Sequence, residues 1–256
     1  MVFLMGMVII KKLKDVRLRH GVLIQGLPGI GFVGKIAVDY ILSELKLPKV
    51  AELYSDGLLL PIGNAGVYID EKGVFSVPCY KFHLLVGEER DLLFLSSEVQ
   101  PVSWSQYEVA DKVLEYFRSI GGEEVVAVCG TTAREGEKKE VYYAVDCEET
   151  AKWLDKLGFK RSVGGTITGA CGLLPALAHL KGMKSYVLMG TTASAEPDPE
   201  AGMVIVKALI KIFGINVSLD NLSKIIEEIR KKKKEMEEAK AMLKKEKPES
   251  QPPYYV

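Results

Sequence analysis

The 256-residue sequence lacks most of the short patterns that mark metal and catalytic sites. Its 4 cysteines are widely spaced and form no CxxC pair, which argues against a structural zinc site. It has only 3 histidines and no HExxH pattern, so metal chemistry has little support. Neither a Gly-x-Ser-x-Gly elbow nor a Walker-type phosphate loop is present. We therefore expect no metal, no cofactor and no nucleotide-driven work.

The sequence also has no excess of charge and no long apolar run. Its 34 basic residues balance 34 acidic residues, which argues against nucleic-acid binding through net charge. No apolar segment is long enough to span a bilayer. The N-terminal residues lack the basic region and the small-residue cleavage site of a signal peptide. We expect a cytoplasmic protein whose cysteines are reduced.

Strands alternate with helices along most of the chain. An apolar strand at 22–25, a glycine-rich turn, an amphipathic helix at 35–45 and a second strand at 50–54 form a βαβ unit. The segment Asp70–Gly73 is typical of a hairpin turn between two short β-like runs. This pattern predicts an α/β fold with a mainly parallel sheet, flanking helices and an antiparallel hairpin edge. Further helices are expected near 104–120, after a cap at Ser103, and near 148–157, 171–180 and 199–212. The run 58–62 is expected to be β-like.

The composition changes after Gly214, where apolar residues begin to recur in alternating steps of three and four. This heptad pattern, interrupted only by Lys232, predicts a helix over 219–246 that is about 42 Å long. Prolines then favour an extended end. We expect an α/β core at 1–216, a charged helix at 217–247 and a proline-rich tail at 248–256. The apolar positions of the pattern are Leu222, Ile225, Ile229, Met236, Ala239 and Leu243.

The glycine-rich turn offers one candidate ligand site. Gly29, Gly31 and Gly34 fit the G-x-G-x-x-G pattern of dinucleotide sites, in which the glycines let a pyrophosphate approach a helix N-terminus. Glu52, on the next strand, would meet a ribose hydroxyl. Pro28 removes a backbone donor from this turn, however, and no hydride-transfer site follows. The alternative is that these glycines serve a tight turn and close helix–sheet packing.

Three other groups of residues have both a functional and a structural interpretation. Cys171 enters a helix whose dipole would stabilise a thiolate, with His179 and Asp198 as partners, or it is a buried small residue. The acidic turn Glu196–Pro199 either binds a cation or caps a helix. The run Lys231–Lys234 either contacts nucleic acid or an acidic protein surface, or is a solvated helix face balanced by glutamates, and we favour the solvated face.

The C-terminal residues Tyr254, Tyr255 and Val256 follow the charged helix and the prolines. A hydrophobic residue, a tyrosine and a terminal residue form the HbYX pattern of proteasome regulators. An extended peptide that ends in a carboxylate can be captured by a basic residue, while its aromatic rings fill grooves beside it. The tail is therefore our predicted partner-binding site.

Three core segments add to this pattern. Gly26–Gly34, Thr168–Leu174 and Glu196–Gly202 occur in the order expected of the archaeal proteasome assembly chaperone family, which the chain resembles over about residues 8–220 and the tail. The resemblance implies an α/β core similar to that of nucleoside phosphorylases and a small ring-like homo-oligomer, a tetramer or pentamer. It also implies no established catalysis, and a tail that docks between α-subunits of the proteasome core. Cys171 departs from this resemblance, because a smaller or hydroxyl residue would be expected there.

We accordingly predict an ATP-independent, non-enzymatic chaperone or activator that docks on the proteasome α-ring through Tyr254–Val256. The alternative is a nucleotide- or nucleoside-binding enzyme that uses the turn at Gly29–Gly34. A third possibility is a structural oligomer whose tail has no role.

Overall fold

A computed structural model describes residues 6–246, and for residues 233, 237 and 239–246 it describes the backbone alone. The eleven strands are β1 Val8–Lys12, β2 Gly21–Gly26, β3 Lys49–Ser55, β4 Tyr68–Ile69, β5 Phe75–Ser76, β6 Tyr80–Leu85, β7 Leu92–Ser96, β8 Gly122–Thr132, β9 Val141–Val145, β10 Lys160–Arg161 and β11 Lys184–Thr192. The six α-helices are α1 Val33–Leu45, α2 Gln106–Ser119, α3 Glu148–Lys156, α4 Gly169–Leu180, α5 Pro199–Phe213 and α6 Asp220–Glu246.

Nine of these strands form one sheet in the order β1-β3-β6-β7-β2-β8-β11-β9-β10. The four central strands β7, β2, β8 and β11 are mutually parallel. Strands β7, β2 and β11 are buried almost throughout, and β8 is buried over its central residues 124–128, as expected when helices cover both faces of a parallel sheet. Antiparallel strands extend both edges. The predicted α/β class with a parallel sheet is confirmed, and its antiparallel part lies at both edges.

The helices form one layer on each face of the sheet. Helix α1 packs with α5 on one face, and α2 packs with α4 on the other. The core on the α2 and α4 face includes Leu23, Phe82, Leu93, Val113 and Phe117, all fully buried. These layers leave the carboxyl ends of β2, β8 and β11 between the starts of α1 and α4.

Strands β4 and β5 form a separate two-stranded sheet. The predicted turn is present, because the Asp70 carboxylate accepts the Lys72 and Val74 N–H groups and the Asp70 N–H donates to Val74. Two local expectations were wrong. The run 58–62, expected to be β-like, ends in a 3₁₀ turn with Ile62 at a φ of +72°. Helix α2 begins after Ser105 and not after the expected cap Ser103.

The predicted C-terminal helix is present as α6, with 27 residues. Contacts divide the chain into two units with a boundary between Val217 and Ser218. Among the helices described, none is long and apolar enough to cross a membrane.

Candidate functional site

The residues of the predicted tail site, Tyr254, Tyr255 and Val256, lie outside the described part of the chain. In the helix that precedes them, the heptad position Leu222 is buried, whereas the positions Ile225, Ile229 and Met236 are exposed. Heptad positions Ala239 and Leu243 also fall beyond the described side chains. An exposed apolar seam on a long charged helix is the feature expected of a coiled-coil surface.

The glycines of the candidate dinucleotide turn have different surroundings. Gly34 lies in the first turn of α1, and a Cβ placed there would lie 2.7 Å from the carbonyl carbon of Val128 on β8. Gly31 has a φ of +60°, a left-handed conformation that suits glycine. At Gly29 the nearest atom to an added Cβ would be the Gln100 Nε2, 3.9 Å away, which is an ordinary contact distance. Two of the three glycines therefore serve chain geometry and the close approach of α1 to the sheet.

Glu52 does not reach this turn. The sheet register aligns Glu52 with Lys81, Lys81 with Ser96 and Ser96 with Gly26, so three inter-strand spacings, or about 14 Å, separate Glu52 from the start of the turn. Glu52 instead accepts hydrogen bonds from Lys49 and Tyr54. Burial alone would raise the pKa of Glu52, but these donors outweigh it and lower the pKa. The structure does not assemble the dinucleotide arrangement.

The expected free thiol at Cys171 is replaced by a disulfide to Cys129. The two Cα atoms lie 6.4 Å apart, because the start of α4 packs over the end of β8. The interpretation of all four cysteines as reduced is therefore wrong for this pair, while Cys79 and Cys147 are free. A thiol engaged in a disulfide cannot act as the nucleophile considered above.

The partners suggested for Cys171 also lie elsewhere. The His179 Nδ1 atom is 3.9 Å from the Asp146 carboxylate at the far end of α4. Asp198 caps α5 by accepting the Ala201 N–H at 3.0 Å. No Cys–His–Asp set is assembled.

The same capping contacts explain the acidic turn at Glu196–Pro199. Asp198 accepts hydrogen bonds of 2.6 Å from both Lys139 and Thr192. Burial alone would raise the pKa of the Asp198 carboxyl, but these donors hold the pKa below its ordinary value. Within residues 6–246, no cluster of histidine, cysteine and acidic side chains could hold a metal ion. The helix-cap interpretation accounts for this turn.

A crevice of about 250 Å³ opens at the carboxyl ends of the central strands. Its floor includes Gln25 at the end of β2 and the Cys129–Cys171 disulfide, and its rim includes Pro28 and Thr166. The rest of the lining is Leu27, Gly29, Ile30, Gln100, Val128, Gly130, Thr131, Thr132, Ile167, Thr168, Gly169 and Met189.

Gln100 connects two walls of this crevice. Its Nε2 group donates to the Pro28 carbonyl in the glycine turn, and its Oε1 atom accepts the Ala170 N–H at 3.1 Å. The side chain thereby satisfies one of the N–H groups that the start of α4 leaves unpaired. Sequence reasoning missed Gln25 and Gln100, because neither residue belongs to a recognisable motif.

A second surface feature is the hairpin patch, formed by six apolar residues that are exposed on or beside β4 and β5. The exposed fractions of Ile62, Ile69 and Phe75 are 98%, 70% and 73%. Isolated two-stranded hairpins are at best marginally stable in water, so a hairpin that leaves this many apolar side chains exposed marks an interaction surface. The members of the patch are Ile62, Val67, Ile69, Val74, Phe75 and Val77.

Comparison with known proteins assigns this chain to a family. The sequence profile of the PAC2 family matches residues 23–237. The chain belongs to the PAC2 family. Its relatives include the uncharacterised protein MJ1210 of Methanocaldococcus jannaschii, 29% identical over 247 residues that cover 90% of this chain and 91% of the relative.

Two solved structures resemble this PAC2 protein over nearly its whole length. Pyrococcus furiosus PbaB, described as an archaeal proteasome activator, matches with a TM-score of 0.83 and 26% identity, covering 91% of this chain and 100% of PbaB. Pyrococcus furiosus PbaA, described as an archaeal homolog of proteasome-assembly chaperone, matches with a TM-score of 0.74 and 29% identity, covering 93% of this chain and 96% of PbaA. These matches support the family resemblance that the three core segments indicate.

Proposed function

We propose that this PAC2-family protein is an ATP-independent, non-enzymatic proteasome assembly chaperone or activator of the archaeal type, acting in the cytoplasm. The observation that carries the proposal is the near full-length match to PbaB, an archaeal proteasome activator. The C-terminal Tyr254-Tyr255-Val256 supplies the docking element, because it fits the HbYX pattern of proteasome regulators. In this proposal the core and α6 present several copies of the tail to the proteasome α-ring.

Removal of Tyr254–Val256 should abolish binding to proteasome α-rings without changing the stability of the core. The tail side chains and the terminal carboxylate are the proposed anchors, and interface anchors of this kind commonly contribute 2 kcal/mol or more, roughly 30-fold in affinity. Tyr255→Ala should weaken binding by at least about tenfold. Surface plasmon resonance on immobilised α-rings measures both effects.

The matched control for these tail variants is Lys232→Ala, which removes a charge from α6 and leaves the tail intact. It should bind as the wild type does. Native mass spectrometry of each variant separates a tail effect from a loss of self-association. Full α-ring binding by the truncated protein, in its normal oligomeric state, would rule out the tail as the docking element.

We further propose that the hairpin patch joins copies of this chain into the homo-oligomer that multivalent docking requires. Both edges of the β4–β5 sheet are open, and the residues that pair across it, Ile69 and Phe75, are apolar and exposed. The chain has no net charge to oppose self-association. When one tail of an oligomer binds the α-ring, the other tails are held close to the ring at a high effective concentration. This effect commonly increases avidity by 10²–10⁴.

The double substitution Ile69→Lys with Phe75→Glu should convert the oligomer into monomers. The new charges lie opposite one another, so they support hairpin pairing while removing the apolar surface. Native mass spectrometry should show the loss of the oligomer, and α-ring affinity should fall by roughly 100-fold or more. The matched control is Val86→Lys with Val163→Glu, which changes two exposed apolar residues outside the hairpin. An oligomer of wild-type mass in the hairpin variant would contradict this assignment.

A further inference from the structure

The crevice lies where the topology of the sheet reverses. Strands β2 and β8 are adjacent and parallel. After β2 the chain continues through α1 to β3 on one side of this pair, whereas after β8 it continues to β9 on the other side. In open α/β sheets, small ligands bind outside the carboxyl ends of the strands at such a switch point. This location is independent of the tail and of the hairpin patch.

The crevice favours an uncharged ligand. Among the described residues that line it, none has a charged side chain. The start of α4 also offers less to an anion than a free helix end would, because Gln100 occupies the Ala170 N–H. A phosphate placed here would lose its hydration and meet no cation. The crevice volume of about 250 Å³ suits a small molecule near the lower size limit of ligand pockets.

Gln25 indicates what such a ligand must provide. Gln25 is 1% exposed and lines the crevice, and its Oε1 atom has no hydrogen-bond partner within the part of the chain that the structure describes. A buried acceptor of this kind needs a donor. Thr166 and Thr168 line the same crevice and carry hydroxyl groups, and Ile30 and Ile167 offer apolar surface. A molecule that suits all these groups carries an N–H donor, hydroxyl groups and an apolar face.

We propose that this crevice binds an uncharged nucleoside, with the base donating an N–H to Gln25 Oε1 and the ribose hydroxyls facing the threonines. The competing explanation is a single bridging water. A second cavity of about 10 Å³, which is enough for one water, borders both Gln25 and Tyr80, and the Tyr80 hydroxyl also lacks a partner. A water there would satisfy Gln25 without any ligand in the crevice.

Isothermal titration calorimetry with adenosine, guanosine and cytidine tests the proposal, and AMP serves as the charged comparison. At least one nucleoside should bind the wild-type protein saturably, and AMP should bind at least about tenfold more weakly than its nucleoside. Gln25→Met removes the amide at similar volume and should weaken nucleoside binding at least about tenfold. Thr166→Trp should weaken binding by a similar factor, because Thr166 is exposed at the crevice rim and the larger side chain fills it.

The matched control is Val163→Trp, which introduces the same side chain in the same loop at a residue that is 93% exposed and does not line the crevice. It should bind as the wild type does. If Gln25→Met fails to fold, the comparison of Thr166→Trp with Val163→Trp still tests whether nucleosides bind in the crevice. Absence of saturable binding by all three nucleosides at millimolar concentration would overturn the proposal in favour of the water. Undiminished binding by Thr166→Trp would also overturn it. Neither result would bear on docking to the α-ring.

Discussion

Replacing Gly34 with alanine should destabilise the core by about 3 kcal/mol, which would lower the midpoint of thermal unfolding by roughly 6–12 °C. The added Cβ would lie 2.7 Å from the carbonyl carbon of Val128, a backbone atom of a central strand that cannot move aside. Helix α1 would have to shift away from the sheet. The sign of the effect is informative, because alanine is normally the better helix former by about 1 kcal/mol. Urea denaturation followed by circular dichroism measures the change.

Gly29→Ala is the matched control for this prediction. Gly29 has an extended φ of −173°, and the nearest atom to an added Cβ would be 3.9 Å away. The free energy of unfolding of the Gly29→Ala variant should remain within about 0.5 kcal/mol of the wild-type value. If Gly34→Ala were as stable as the wild-type protein, close packing of α1 on β8 would not explain this glycine. The interpretation of the glycine turn as a dinucleotide site would then need to be reconsidered.

The local elements of the fold could be predicted from the sequence, but the order of the strands could not. The strand, glycine turn and helix around Gly34 follow from short-range patterns, as does the hairpin turn at Asp70. The sequence also places β3 directly after α1, yet β3 pairs with β1 and β6 and lies three strands from β2. Strand order depends on long-range pairing that no local pattern encodes. That is why Glu52 looked like a partner of the glycine turn and is not one.

The crevice was less predictable than the fold for the same reason. Gln100 and Ala170 are 70 residues apart in sequence, and only packing of the loop after β7 against α4 brings them together. A glutamine at the end of an apolar strand is the one sequence signal that directs attention to Gln25. The tail is the opposite case, since its pattern is complete in three consecutive residues and requires no fold to recognise it.

Loss of the Cys129–Cys171 disulfide should destabilise the core by about 4 kcal/mol. The disulfide joins residues 42 positions apart, and the chain-entropy model gives this value for a closed loop of that length. The midpoint of thermal unfolding should fall by roughly 10 °C on reduction with dithiothreitol. The double variant Cys129→Ala with Cys171→Ala should show a similar fall and should no longer respond to the reductant. Differential scanning calorimetry with and without reductant provides both measurements.

The matched control is Cys147→Ala, since Cys147 is exposed and free. This variant should keep both the wild-type midpoint and its response to dithiothreitol. Thiol titration of the unfolded, non-reduced protein gives an independent check, because only Cys79 and Cys147 should react before reduction. Reaction of all four thiols would restore the expectation of reduced cysteines. The disulfide joins β8 to the start of α4, which are two walls of the crevice, so its reduction should weaken nucleoside binding while leaving the tail able to bind the α-ring.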